Sequence, residues 1–252
     1  MKGSIKDTEE LKAAIETNIK NMEWKIVPSG IEWNATGKDS NNSPFPTKAA
    51  SSGLLKTIGN IVNPASKATN VSRNITIRTI ANELEKTLRR KYDLEVKVEK
   101  SSKVSSSSIV VNAWYDDDYD RTGDDIPIRL NFIVSDPEVL LNLDEKMWKK
   151  FSNEVADAVQ HEYLHMAQYR NRGFTKPSKY KPKVTKELKD FYNSQSYLGN
   201  SDEIEAYALN ISSELLNKYR TKRKTIANLK RLDKSLFKAS PNLFAYFMAF
   251  DF

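Results

Sequence analysis

The stretch FSNEVADAVQHEYLHMAQYR, residues 151–170, holds His161 and His165, the 2 histidines of this 252-residue chain. Between them stands Glu162. Phe151, Val155 and Val159 recur every fourth residue ahead of the pair, the spacing of one helix face. That period predicts a helix over about 144–171, beginning near Asp144, with Trp148 on its apolar side and Gly173 as its stop. Helical residues four apart lie one turn above the other, so the two imidazoles can converge on one ion, about 2.0–2.1 Å from a zinc. Glu162 lies about 100° around the helix from His161. From there it can reach a metal-bound water without ligating, and act as its general base. Zinc lowers the pKa of such a water and polarises a scissile carbonyl.

Strand signals precede this helix. LEVKVEK (94–100) alternates apolar and polar residues, and SIVVNAWY (108–115) and IPIRLNFIV (126–134) are rich in β-branched and aromatic ones. With SSKVSSSS and DDDYDRTGDD as connecting turns, two or three antiparallel strands are expected. Further upstream, Ile77, Ile80, Leu84 and Leu88 mark a helix over 74–92. A first helix has Asp7 as cap, Glu10 in capping-box position, and Leu11, Ile15, Ile19 and Met22 at helical spacing. Pro28 to Gly53 is rich in Ser, Asn, Pro and Gly, the composition of a linker or extended arm.

Downstream, the Lys/Pro-rich loop TKPSKYKPKVTKE (175–187) leads to a short helix around 186–193. Another helix starts with Ser201 as N-cap, and two more are expected across 221–250. Strands followed by helices make the class α+β, a small antiparallel sheet followed by the histidine helix and further helices. Two regions are expected: 1–72, an N-terminal helix and flexible arm, and 73–252, the main domain.

Composition narrows the function classes. The chain has no cysteine, which excludes disulfides, thiolate ligands and a cysteine nucleophile. The N-terminus lacks the apolar core of a signal peptide, and the longest apolar run, LFAYFMAF (243–250), is too short to span a bilayer. A cytoplasmic or virion/assembly-associated protein without a membrane partner is therefore expected. The net charge of +7 is uneven: residues 101–170 carry 7 basic and 13 acidic side chains, residues 171–252 carry 16 and 8. The histidine pair thus lies in an acidic stretch of a basic protein.

A three-ligand zinc site needs one more donor. Gln168 and Asn171 stand where HExxHxxGxxH would require glycine and histidine, which excludes the metzincin pattern. With no other histidine and no cysteine, the third ligand is a carboxylate. HEYLH together with the later SDEIEAYALN (201–210) resembles the gluzincin branch of the zincin metallopeptidases, over about a quarter of the chain. The resemblance implies a zincin-like fold, zinc as cofactor, peptide-bond hydrolysis of a protein or peptide substrate, and Glu203 as third ligand, with Ala206 letting two helices approach. Periodicity alone leaves a choice, since Glu203 and Glu205 flank the stripe Ile204, Ala208, Ile211 and Leu215 on opposite sides.

A peptidase also needs a donor for the developing oxyanion. Some thermolysin-like enzymes, a family this site resembles, use an additional histidine, which this chain lacks. Tyr197 is the substitute expected, with Tyr207 next. In zincins substrate pairs with an edge strand above the catalytic helix, a role the resemblance gives to IVVNAWY or IPIRLNFIV. Asp118, Asp120, Thr122 and Gly123 begin like a calcium loop, but Arg129 takes the place of its bidentate glutamate, and an acidic hairpin turn is expected. Residues 218–238 carry nine Lys/Arg and a single acid, read as a solvated helical face rather than a nucleic-acid contact. The alternative to a peptidase is a catalytically inactive zincin-like structural or interaction protein, of phage or mobile-element type. Its basic surfaces would bind a protein or nucleic-acid partner.

Overall fold

The alternation over residues 94–134 determines one layer of the molecule, and the apolar stripes of two helices determine its cover. The computed structural model describes residues 5–27, 30–35, 75–123, 125–141, 145–231 and 234–250. The chain divides into two units, one of Met1–Lys25, Ala35–Gly37 and Thr175–Phe252, the other of Ile26–Asn34 and Lys38–Phe174. The boundary expected between residues 72 and 73 lies outside the described residues, and residues 5–25 group with the C-terminal helices. Helices α1 (Ile5–Asn21) and strands β1 (Met22–Val27) and β2 (Gly30–Ala35) come first in chain order, with β1 and β2 paired to each other. Most of the expected arm, residues 28–53, lies outside the described residues; Gly30–Ala35 of it is strand.

In the sheet-bearing unit, β3 (Ile75–Thr76) leads into α2 (Ile77–Tyr92), followed by β4 (Leu94–Lys100), β5 (Ile109–Tyr115), α3 (Asp117–Thr122), β6 (Ile128–Val134), β7 (Leu140–Leu141) and α4 (Glu145–Asn171). The main sheet has the order β4-β6-β5. β6 pairs antiparallel with β5 but parallel with β4, so the sheet is mixed rather than antiparallel as expected. The reason is topological: α2 precedes β4, and β4 and β5 both take edge positions around the most apolar strand. Register aligns Leu94 with Ile128, Val96 with Leu130, and Val111 with Phe132. These side chains share one face of the sheet. Ile77, Ile80, Leu84 and Leu88 of α2 and Phe151, Val155 and Val159 of α4 are buried in the same cluster, as their spacing predicts.

Thr76 caps α2, its hydroxyl accepting from the Thr79 N–H at 3.2 Å. The acidic segment between β5 and β6 is a short helix, not a plain hairpin turn, because Asp116 caps it and Asp120 turns inward. Asp120 accepts from the Tyr115 hydroxyl at 2.7 Å and from the Arg170 guanidinium at 2.8 Å, and so is not available as a calcium ligand. This pair anchors the last turn of α4 to the end of β5. That helix closes with a Schellman motif: Phe174 N–H donates to Tyr169 C=O at 2.8 Å and Gly173 N–H to Arg170 C=O at 3.1 Å, with Gly173 left-handed at φ 60°.

The helical unit contains α1, α5 (Lys189–Leu198), α6 (Ser201–Tyr219), α7 (Lys222–Arg231), α8 (Lys234–Ala239) and α9 (Pro241–Phe250). Leu11, Ile15 and Ile19 of α1 are buried, and α1 packs on α6, where Ile204, Ala208, Ile211 and Leu215 are buried. An isolated amphipathic α1 would leave that stripe in water, which accounts for its grouping with the C-terminal helices. Asp7 lies within α1 rather than capping it.

Candidate metal centre

α4 places His161 and His165 one turn apart, with ring centroids at 4.7 Å and planes at 78°. His161 is buried, and His165 and Glu162 are half-buried. The Nδ1 of His165 lies 2.9 Å from Gln168 Oε1. An amide oxygen only accepts, so this bond puts the proton on Nδ1 and the lone pair on Nε2, the form a metal ligand needs. Gln168 is itself buried, which holds the acceptor in place. Sequence reasoning noted Gln168 only as a departure from the metzincin pattern. Its position three residues after His165, one turn along the same face, is the local signal that could have found this contact.

α6 presents Glu203 in its first turn. Asn200 is the N-cap rather than Ser201: its side chain accepts from the Asp202 N–H at 3.1 Å, and Ser201 is the first helical residue. The order Asn-x-x-Glu would suit a capping box, in which Glu203 bonds back to the Asn200 N–H. Here that N–H already donates to Tyr197 C=O at 3.1 Å, so the helix start does not require the glutamate. Glu203 is buried at 9% exposure, whereas Glu205 is exposed. Ala206, the small residue of the motif, is fully buried.

One ligand atom from each of His161, His165 and Glu203 lies within 4.8 Å of the other two. Two imidazole nitrogens and one carboxylate oxygen at that separation are a donor set that suits zinc and leaves a fourth position for water or substrate. The residues therefore fit a divalent transition metal.

Tyrosines surround Glu203 on its own unit. Tyr246 of α9 is buried and donates to Leu198 C=O at 2.7 Å. Burial, then the Glu203 carboxylate and Tyr207, push its phenol far above the ordinary value, so it stays protonated. No local sequence signal links Tyr246 to Glu203, 43 residues earlier; only the fold does. Tyr207 meets the Tyr246 ring at 5.4 Å and the Tyr197 ring at 6.4 Å. Tyr197, on the last turn of α5, is 50% exposed. Gly199 sits between these parts under tight packing, where a Cβ would run into the Tyr180 ring. β5 is an edge strand packed on α4, while β6 is central and offers no open edge. Compared with known proteins, the chain matches no family model, no curated protein and no solved structure.

Proposed function

We propose that this chain is a zinc-dependent peptidase of zincin-like design, resembling the gluzincins. The observation that carries the reading is the convergence of His161, His165 and Glu203 within 4.8 Å, with Glu162 beside the first ligand. When bound, the ion would supply Lewis acidity toward a water and a peptide carbonyl. Glu162 takes the proton of the attacking water as its oxygen bonds to the carbonyl carbon. As the C–N bond breaks, Glu162 returns that proton to the leaving amine. Gln168 keeps His165 in its ligating tautomer. Tyr197 is assigned to the oxyanion, and the open edge of β5 to pairing with an extended substrate.

Elemental analysis of purified protein tests the site. Near-stoichiometric zinc is expected in the wild type and in Glu205→Gln, with loss in His165→Ala and Glu203→Gln. Protein without zinc, and unable to take it up, overturns the reading. Glu162→Gln is expected to keep the metal and lose peptide hydrolysis. Tyr197→Phe should lower kcat by roughly 10²-fold with little change in KM, as for removal of one oxyanion donor. The burial of His161 and Glu203 also suits a structural metal site without catalysis. A zinc-loaded wild type that cleaves no peptide library would select that second reading.

A further inference from the structure

α9 is apolar on its exposed face as well as its buried one. Its inward residues Leu243, Tyr246, Ala249 and Phe250 are buried, as a packed helix requires. Its exposed residues are Pro241, Phe244, Ala245 and Met248, all apolar. They fall at helical spacing and form one outward stripe, with Phe244 at 46% and Met248 at 48% exposure. Phe247 and Phe237 extend it, their rings 4.5 Å apart, with Phe237 also 6.0 Å from Phe244. Water-facing positions of a surface helix are ordinarily polar, and contiguous apolar stripes with a polar rim mark contact surfaces.

Lysines lie near both ends of α9. At the N-terminal end, exposed Lys238 stands next to Phe237, two residues before the cap Ser240, whose hydroxyl accepts from the Leu243 N–H at 3.0 Å. At the C-terminal end, Gln195 donates to Ala249 C=O at 2.8 Å and accepts from the Lys183 N–H at 3.0 Å. Tyr180 reinforces the junction through an edge contact with Phe250 at 5.9 Å. The loop 175–187 is thereby tied to the last turn of α9, and it carries five lysines and one acid. Lys181 and Lys183 are exposed.

We propose that this face of the helical unit is an interfacial docking surface for an anionic lipid bilayer. Phe244 and Met248 enter the headgroup–acyl boundary while the lysines at either end meet anionic headgroups. Polyanions without an apolar phase, such as nucleic acid, would use the lysines but leave the stripe in water. The expectation of no membrane partner rested on LFAYFMAF being too short to span, and no described helix is long and apolar enough to cross a membrane. Lying in the interface requires one apolar face, not a spanning length. The proposal is independent of the metal site.

Co-sedimentation of the full chain with phosphatidylcholine vesicles, with and without phosphatidylserine, tests it. Binding is expected only with phosphatidylserine, and Phe244→Ser/Met248→Ser is expected to weaken it by at least roughly tenfold, since apolar insertion and charge act together. Lys181→Gln/Lys183→Gln/Lys238→Gln should weaken it as well and flatten its salt dependence. Both sets of positions are exposed, and thermal unfolding verifies that the variants fold. Failure to sediment with either vesicle overturns the proposal, as does binding unchanged by the Phe244/Met248 pair. It is also overturned by tighter binding to double-stranded DNA that the pair leaves intact. A wild-type dimer in sedimentation velocity that the pair abolishes would instead assign the stripe to a second copy of this chain.

Discussion

The two units bury polar side chains to different extents. Among the described residues, the sheet-bearing unit buries Asn131, His161 and Gln168, whereas the helical unit buries eight: Gln195, Asp202, Glu203, Asn210, Ser212, Ser213, Thr225 and Ser240. Strand ladders satisfy their own N–H and C=O groups, so the sheet interior can be almost wholly apolar. Short helices and loops leave backbone groups over at every end, and side chains answer them. Gln195 bridges Lys183 and Ala249, and Ser240 caps α9. A buried polar residue therefore carries different information in the two units. In the sheet-bearing unit two of the three belong to the candidate metal centre. In the helical unit Glu203 does not stand out by burial, and only its proximity to the histidines distinguishes it.

The largest effect should come from the apolar unit. Leu84→Ala at a fully buried position is expected to destabilise by about 3 kcal/mol, read as a lower thermal midpoint and faster hydrogen exchange in α2 and β4. In the helical unit the matching damage is polar. Gln195→Ala strands two backbone groups and should cost about 2 kcal/mol, with faster exchange across the last turn of α9 and around Lys183. If Gln195→Ala proved silent, hydrogen bonding would not be what organises that unit.

Glu214 gives the comparison a pH handle. Burial raises its carboxyl from the ordinary 4.5 to about 7, although Ser240 and the Asn242 side chain, at 2.8 Å, donate to it and oppose the rise. Folding therefore favours the protonated form. That contribution is fully present below about pH 4.5 and is lost as pH rises through about 7, on the order of 2 kcal/mol. Thermal midpoints of the wild type should fall from about pH 5 to about pH 8 relative to Glu214→Gln, which removes this titration. Equal slopes in the two proteins would exclude Glu214 as the source. The smallest stability effect is expected at Gln168→Ala, under about 1 kcal/mol, yet zinc affinity should drop roughly 10- to 100-fold in a chelator competition. Unchanged affinity would leave His165 orientation to other contacts.

Legibility followed the range of the interactions. The stripes Ile77–Leu88 and Phe151–Val159 and the turn that superposes His161 on His165 are local, and the structure has them as their spacing predicts. Helix ends were less legible. Asn200 and Ser201 are both good caps, and only the bond to Asp202 N–H distinguishes them. The parallel pairing of β4 with β6 was not legible, since LEVKVEK alternates equally well in either direction.

The sequence by itself determined two histidines one turn apart on one helix with Glu162 between them, and left only carboxylates as candidates for a third metal donor, because helical period and residue chemistry are properties of short segments. The resemblance named Glu203, but periodicity alone left Glu205 open, and that choice needed tertiary structure. Both flank the same stripe, and the packing of α6 leaves one buried and the other exposed. The edge position of β5, the return of α1 to the C-terminal helices, and the apolar outward stripe of α9 were likewise decided there. Each depends on which surface covers which, and that is a property of the assembled core.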